Sequence, residues 1–255
     1  MMYFNGKDSA KRYALYRPNI HPKVIQIIKS NIKSEKPIRY ALDVGCGTGQ
    51  SAIALKALAE KVIAIDISPD MISQAPRSEQ VEYICAAAEA IPLRNAIFHL
   101  ISVGLSLHWF ERGKFMTEAV RLIKPRGLLV IYDNFFSGVM RENDEFQKWF
   151  RGTFMRKFPT PPRDCRPLED KKLRRYGFGL EKEVDYEENI TYNLDQLVGY
   201  VTTMTNTVAA LKKGIVELDV VLDWLESSIR PFFIGQDKCT ILHRGWIKFL
   251  KKLDN

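Results

Sequence analysis

The sequence predicts an α/β fold: a three-layer sandwich with a mostly parallel sheet and a helical cap inserted after the fifth strand. Three observations carry this. Short apolar runs alternate with helical patterns from residue 38 to residue 132, as parallel strands joined by crossovers require. A turn with three glycines at alternate positions, Gly45, Gly47 and Gly49, joins the first apolar run to the first of those helices. Acidic, small and aromatic residues collect where the strands end, the edge at which such sheets bind ligands.

The elements follow in order. Tyr13-Ala-Leu-Tyr-Arg-Pro18 precedes a helix that Pro22 opens and that Val24, Ile25, Ile27, Ile28 and Ile32 mark. Strand one is Arg39–Val44, and the helix after the glycines is expected over Gln50–Glu60. Strand two is Val62–Asp66, and Ser68-Pro69 reads as an N-cap and first helical position. Val81–Ala86 and His99–Val103 are the third and fourth strands. An amphipathic helix over Lys114–Ile123, a Lys124–Gly127 turn and a fifth strand, Leu128–Tyr132, complete the pattern. Residues 134–178 read as an inserted helical cap. Glu183–Tyr192 is a strand, Leu194–Lys212 and Val216–Ile229 are helices, and Thr240–Lys248 is read as a last strand in preference to a helix. The chain is thus expected to be one domain: a 1–35 cap segment, a 36–133 core, the 134–178 insertion and a 179–255 completion.

Composition narrows the function. The 255 residues contain no apolar run near the roughly 18–20 that a membrane span needs, and the N-terminus lacks a signal peptide's apolar core, so a cytoplasmic protein is expected. Four scattered cysteines without a Cys-x-x-Cys pair predict neither a disulfide framework nor a metal site. The net charge of +8 favours anionic partners, and residues 141–175 hold 11 basic against 6 acidic residues.

The glycine turn suits a nucleotide-like ligand, because glycine allows positive φ and close backbone approach ahead of a helix N-terminus. A dinucleotide turn wants Gly-x-Gly-x-x-Gly; here the spacing is Gly-x-Gly-x-Gly, with Gln50 where the third glycine would fall. Asp43, two residues before the first glycine, suits the ammonium of an amino-acid ligand better than a pyrophosphate. Asp66, 21 positions after Gly45, ends the second strand where a carboxylate can accept bonds from ribose hydroxyls.

On these residues the sequence resembles the S-adenosylmethionine-dependent methyltransferases of the seven-stranded, Rossmann-like fold. Asp43-Val-Gly-Cys-Gly-Thr-Gly49 resembles their first motif. The resemblance implies S-adenosyl-L-methionine as cofactor and S-adenosyl-L-homocysteine as product. It assigns Asp43, Gly45, Cys46, Gly47 and Gly49 to the cofactor, Asp66 to its ribose, Ile67 to an adenine face, and Ala88 and Glu89 to the adenine edge. Ser106, after the fourth strand, joins that set. Many members carry Asp where this chain has Ala87, which shifts adenine recognition to backbone groups or Glu89. Tyr13-x-x-x-Arg-Pro18 together with Leu107-His-Trp-Phe110 is similar to the small-molecule enzymes related to trans-aconitate methyltransferase. That implies Tyr13 and Arg17 at the methionine carboxylate.

Methyl transfer from a sulfonium is an in-line displacement in which the protein mainly aligns and desolvates, so no hydrolase-like triad is required. The expected acceptor is a small anionic molecule, a carboxylic acid foremost, which needs no base. A phenol, hydroxyl or activated carbon does need one, and His108 is the candidate. Trp109, Asp133, Arg174 and Arg175 are the candidate acceptor residues. The rivals are an RNA methyltransferase, which the basic charge encourages but no Asn/Asp-Pro-Pro-aromatic signature supports; a dehydrogenase, opposed by the glycine spacing; and a cofactor-binding protein without catalysis. Oligomeric state is not legible.

Overall fold

The computed structural model describes residues 4–32 and 37–253. Its helices are α1 (Lys7–Tyr16), α2 (His21–Asn31), α3 (Gln50–Leu55), α4 (Pro69–Ile72), α5 (Arg112–Leu122), α6 (Glu145–Trp149), α7 (Met155–Lys157), α8 (Asp170–Arg175), α9 (Leu194–Thr202), α10 (Thr205–Lys212) and α11 (Leu218–Ile229). The strands are β1 (Ile38–Val44), β2 (Ala59–Asp66), β3 (Val81–Cys85), β4 (Phe98–Gly104), β5 (Ile123–Met140), β6 (Phe178–Tyr192) and β7 (Cys239–Lys252). They form one seven-stranded sheet in the order β3-β2-β1-β4-β5-β7-β6. The pairs β1–β2, β1–β4, β2–β3 and β4–β5 are parallel. The Arg141 N–H donates to the Thr240 carbonyl and the Ser137 hydroxyl to that of Leu242, so β7 runs antiparallel to β5. The predicted α/β class, the sheet and the strand reading of Thr240–Lys248 all hold.

The chain gathers into two compact units. One comprises Asn19–Asp133, Arg163–Asp185 and the segment from Trp246 onward; the other comprises the segment ending at Pro18, Asn134–Pro162 and Tyr186–Gly245. In the first, Leu42, Val44, Ile101, Val103, Leu129 and Ile131 form the sheet's core with Phe115, Met116 and Leu122 of α5. In the second, Phe146, Phe150, Phe154, Tyr200, Leu225 and Ile241 pack together, and Phe136 and Trp149 join them, so most of the aromatics after Asp133 are core. Phe135 and Tyr176 stay exposed.

Several boundaries differ from the sequence expectation, each for a physical reason. The helix after the glycines ends at Leu55, not Glu60, because Ala59 already pairs with Ile38 at the start of β1; register overrides helix propensity. Lys124–Gly127 is not a turn between elements but a bulge within β5: Phe98 pairs with Ile123 and Leu100 with Leu128, and Arg126 takes up the surplus chain at φ 61°. Residues 134–140 extend β5 instead of opening a helical cap. The Leu194–Lys212 helix breaks after Thr202, where the hydroxyls of Thr202 and Thr203 bond back to the carbonyls of Gly199 and Tyr200.

Gly104 ends β4 with the phenol ring of Tyr132 lying across it, in the space a Cβ would fill. We therefore expect Gly104→Ala to lower stability by about 1–3 kcal/mol, as overpacking does. In urea unfolding, Tyr132→Ala combined with Gly104→Ala should cost less than the sum of the two single changes; strict additivity would contradict the clash.

Candidate functional site

The first unit brings the ends of β1, β2 and β4 together around the glycine turn. Gly45, Gly47 and Gly49 have φ of 73°, 53° and 79°, so all three need the left-handed region. A Cβ on Gly45 would lie 2.5 Å from the Ser106 Oγ, and one on Gly49 2.6 Å from the Tyr83 Oη. The turn is tied to β2: the N–H groups of Gly45 and Cys46 donate to the Ile65 carbonyl, at 2.8 and 2.9 Å. Asp66 completes the tie by accepting from the Gly47 N–H (2.8 Å) and the Ser68 N–H (2.9 Å), one on each oxygen. Burial pushes the Asp66 carboxyl up, and those backbone donors oppose the shift.

Asp43 is buried at 1% exposure. Its Oδ2 accepts from the Ser51 hydroxyl, whereas its Oδ1 has no hydrogen-bond partner among the described residues. Burial pushes its pKa up to about 7; the Ser51 bond works against the shift and the neighbouring Asp66 charge adds to it. The buried Tyr83 hydroxyl likewise lacks a partner among the described residues. Two unanswered polar atoms beside a glycine cradle are what a polar ligand would satisfy.

Other predicted residues are placed as follows. Ile67 is 50% exposed, an apolar face offered beside Asp66, and Ala88 is buried. Glu89 accepts from the Glu111 N–H at the entry to α5, so one of its oxygens is already engaged there. Ser106 donates to the Val44 carbonyl at 3.1 Å, fastening the end of β4 to β1. Cys46 is buried, and its thiol is held well up by burial and by Asp43 and Asp66, so it stays protonated.

His108 and Asp133, at the ends of β4 and β5, come together with Nδ1 and Oδ2 3.8 Å apart, and the Trp109 ring lies 4.7 Å from the imidazole. The Asp133 carboxylate is thus near enough to the ring to steady an imidazolium. The His108 turn is also strapped: the Asp164 N–H donates to the His108 carbonyl. Arg112 grips the strap by donating to the carbonyls of Asp164 and Arg166, both at 2.6 Å, with its Nε 3.1 Å from the Asp164 carboxylate.

Arg174 and Arg175 lie on α8 in this same unit, where Leu173 is the buried face; Arg174 is mostly exposed and pairs with Asp170. Tyr13 and Arg17 belong to the other unit. There the Arg17 guanidinium lies over the rings of Tyr13 and Tyr200 and donates to the Thr203 carbonyl at 2.7 Å.

Sequence reading missed Ser51, Tyr83, Leu105 and the His21–Tyr132 pair. Leu105 holds φ 57° without being glycine, a strained conformation of the kind that gathers at functional sites. His21 Nδ1 lies 2.8 Å from the Tyr132 hydroxyl, and burial pushes its pKa down to about 4. Ser51 was findable as the second residue of the helix after the glycines. The other three carry no local signal.

The chain is similar to known methyltransferases. Residues 42–131 match a family model described as a methyltransferase domain. A protein of Dictyostelium discoideum, provisionally named a methyltransferase, is 26% identical over 88% of this chain and 84% of its own length. A malonyl-[acyl-carrier protein] O-methyltransferase of Buchnera aphidicola is 34% identical, over 42% of this chain and 46% of that protein. A solved structure provisionally named a type II methyltransferase, from Anaeromyxobacter dehalogenans, superposes with a TM-score of 0.71 at 21% identity, covering 94% of this chain and all of that one.

Asp43 makes a pH prediction for the ligand-free protein. Its folded pKa is raised to about 7 from an unfolded value near 3.9, so the folded state binds the extra proton. Its contribution is fully present below about pH 4 and lost as pH rises through 7, a change of up to about 4 kcal/mol. Urea unfolding at pH 4.5 and 7.5 should therefore show the wild type losing stability relative to Asp43→Asn as pH rises; a constant difference would exclude a protonated Asp43.

Proposed function

We propose that this chain, a methyltransferase by the domain at residues 42–131, takes its methyl group from S-adenosylmethionine and delivers it to an oxygen of a small carboxylic acid or other anionic acceptor. The observation that carries the cofactor is the Asp43 oxygen with no partner among the described residues, two residues before the glycine turn. It suits the ammonium of the cofactor's amino-acid part, and binding a cation there would release the proton that burial retains. The Asp66 carboxylate, bonded to backbone N–H groups through both oxygens, retains acceptor capacity for a ribose hydroxyl, and exposed Ile67 offers an adenine face. When bound, the cofactor supplies a methyl already activated by positive sulfur. The chain's own residues bind, orient and exclude water.

For the acceptor, the support is the O-methyltransferase named among the relatives and the basic excess over residues 141–175. A carboxylate is a nucleophile at neutral pH and needs no base. The His108–Asp133 pair favours a second reading, a phenol or hydroxyl acceptor whose proton His108 removes while Asp133 steadies the imidazolium. The net charge of +8 is all that speaks for RNA. Among the described residues no helix is long and apolar enough to cross a membrane. The four cysteines are free thiols, the state kept in a reducing compartment, and a cytoplasmic home belongs to the same proposal.

A methyl-transfer screen over carboxylic acids, phenols and RNA, read by release of S-adenosylhomocysteine, tests this. Asp66→Ala should lose at least about tenfold in turnover with any acceptor, given two charge-assisted bonds removed from the turn. His108→Gln separates the readings: a loss under about tenfold marks a carboxylate acceptor, whereas a loss of about 10²–10⁴ marks one that needs a base. Turnover confined to RNA would overturn both.

A further inference from the structure

In the first unit, the loop between β3 and β4 hangs on α5 through two residues, Glu118 and Arg121. The Arg121 guanidinium donates from Nε to Glu118 Oε1 at 2.8 Å and from Nη2 to Glu118 Oε2 at 2.6 Å. It also donates to the carbonyls of Ile91 (2.9 Å) and Leu93 (2.7 Å) and to the Asn95 Oδ1 (2.8 Å). All five of its N–H donors are thereby used. Glu118 Oε2 in turn accepts from the Ile91 N–H at 2.8 Å, so Ile91 is held by both its backbone groups. Arg121 holds the Glu118 carboxyl below the usual carboxylate range, and the pair is largely shielded from water. Their helix is a firm support, since its Phe115, Met116, Ala119 and Leu122 lie in the sheet's core.

The loop so held begins beside Asp66. The Ala86 N–H donates to the Asp66 carbonyl at 3.0 Å, and Cys85 Sγ lies 3.6 Å from the Ile67 carbonyl oxygen. The sheet order β3-β2-β1 sets Asp43, Asp66 and this loop side by side along one edge. A ligand with its ammonium at Asp43 and its ribose at Asp66 therefore carries its base toward the loop. There Ala87 and Ala88 have no polar side chain to offer, and Glu89 engages one oxygen with the Glu111 N–H at 2.7 Å. Backbone groups must then read much of the base. A side chain can swing to meet its partner, but a backbone group reaches only where its loop is held.

We propose that Glu118 and Arg121 are positioning residues for nucleobase specificity: by fixing the backbone of residues 87–91 they let it select the adenine of the cofactor. This rests on the cofactor reading above and adds to it the residues that set the choice of base. Adenine presents an amino donor at C6 and an acceptor at N1, whereas hypoxanthine presents an acceptor and a donor at the same places. A backbone fixed for the first leaves its polar groups unpaired against the second, and a loosened backbone shifts and loses that preference.

The test is calorimetric titration of the full chain with S-adenosylhomocysteine and with S-inosylhomocysteine, in which hypoxanthine replaces adenine. The wild type should bind the adenine compound at least about tenfold tighter. Arg121→Lys keeps the charge but cannot reach Ile91, Leu93 and Asn95 together, so it should narrow that preference at least about threefold. The narrowing should come from weaker S-adenosylhomocysteine binding, with S-inosylhomocysteine held within about twofold. Glu118→Gln, which removes the charged acceptor from the Ile91 N–H, should act in the same direction. A role confined to stability predicts instead that both ligands weaken in parallel, and that result would overturn the proposal. So would a wild type indifferent to the base, or a preference that neither substitution moves. Where Arg121→Lys fails to fold by circular dichroism, Glu118→Gln decides, because it keeps the size of the side chain. Base preference that survives both substitutions sinks the positioning role and leaves the cofactor reading standing. A folded wild type that binds neither compound sinks the cofactor reading and this inference with it.

Discussion

Asp66 is the constraint on which the site depends. One oxygen accepts from the Gly47 N–H and the other from the Ser68 N–H, so a single carboxylate fixes the glycine turn after β1 and the start of α4 after β2. Those are loops from neighbouring parallel strands, and parallel order brings both to the same edge. Fixing them with a charge has a consequence nearby. Asp43 is fully buried in the same neighbourhood, and the Asp66 charge adds to the burial that drives its pKa up. Two carboxylates that cannot both comfortably ionise make an environment that favours an added cation, and a ligand ammonium is such a cation.

The same logic explains how much was legible from residues alone. Asp43, the three glycines and Asp66 are readable because each backbone demand selects a residue type: positive φ selects glycine, and a strand end facing N–H groups selects a carboxylate. Parallel strands separated by helices are readable from periodicity for the same reason. Tyr83 was opaque, since an aromatic in a strand reads as packing, and only the fold brings its hydroxyl against Gly49. His108 and Asp133 were each visible at a strand end, but their 3.8 Å approach depends on β4 and β5 being neighbours, a pairing that separated stretches of sequence do not state.

Boundaries failed where two levels of order compete. Ser51–Glu60 has helix propensity throughout, yet the chain leaves the helix at Leu55 so that Ala59 can meet Ile38. The Lys-Pro-Arg-Gly sequence at 124–127 has turn chemistry and does bend the chain, but it bends a strand whose neighbours hold it in the sheet. In both places a local preference survives as an irregularity inside an element imposed from outside.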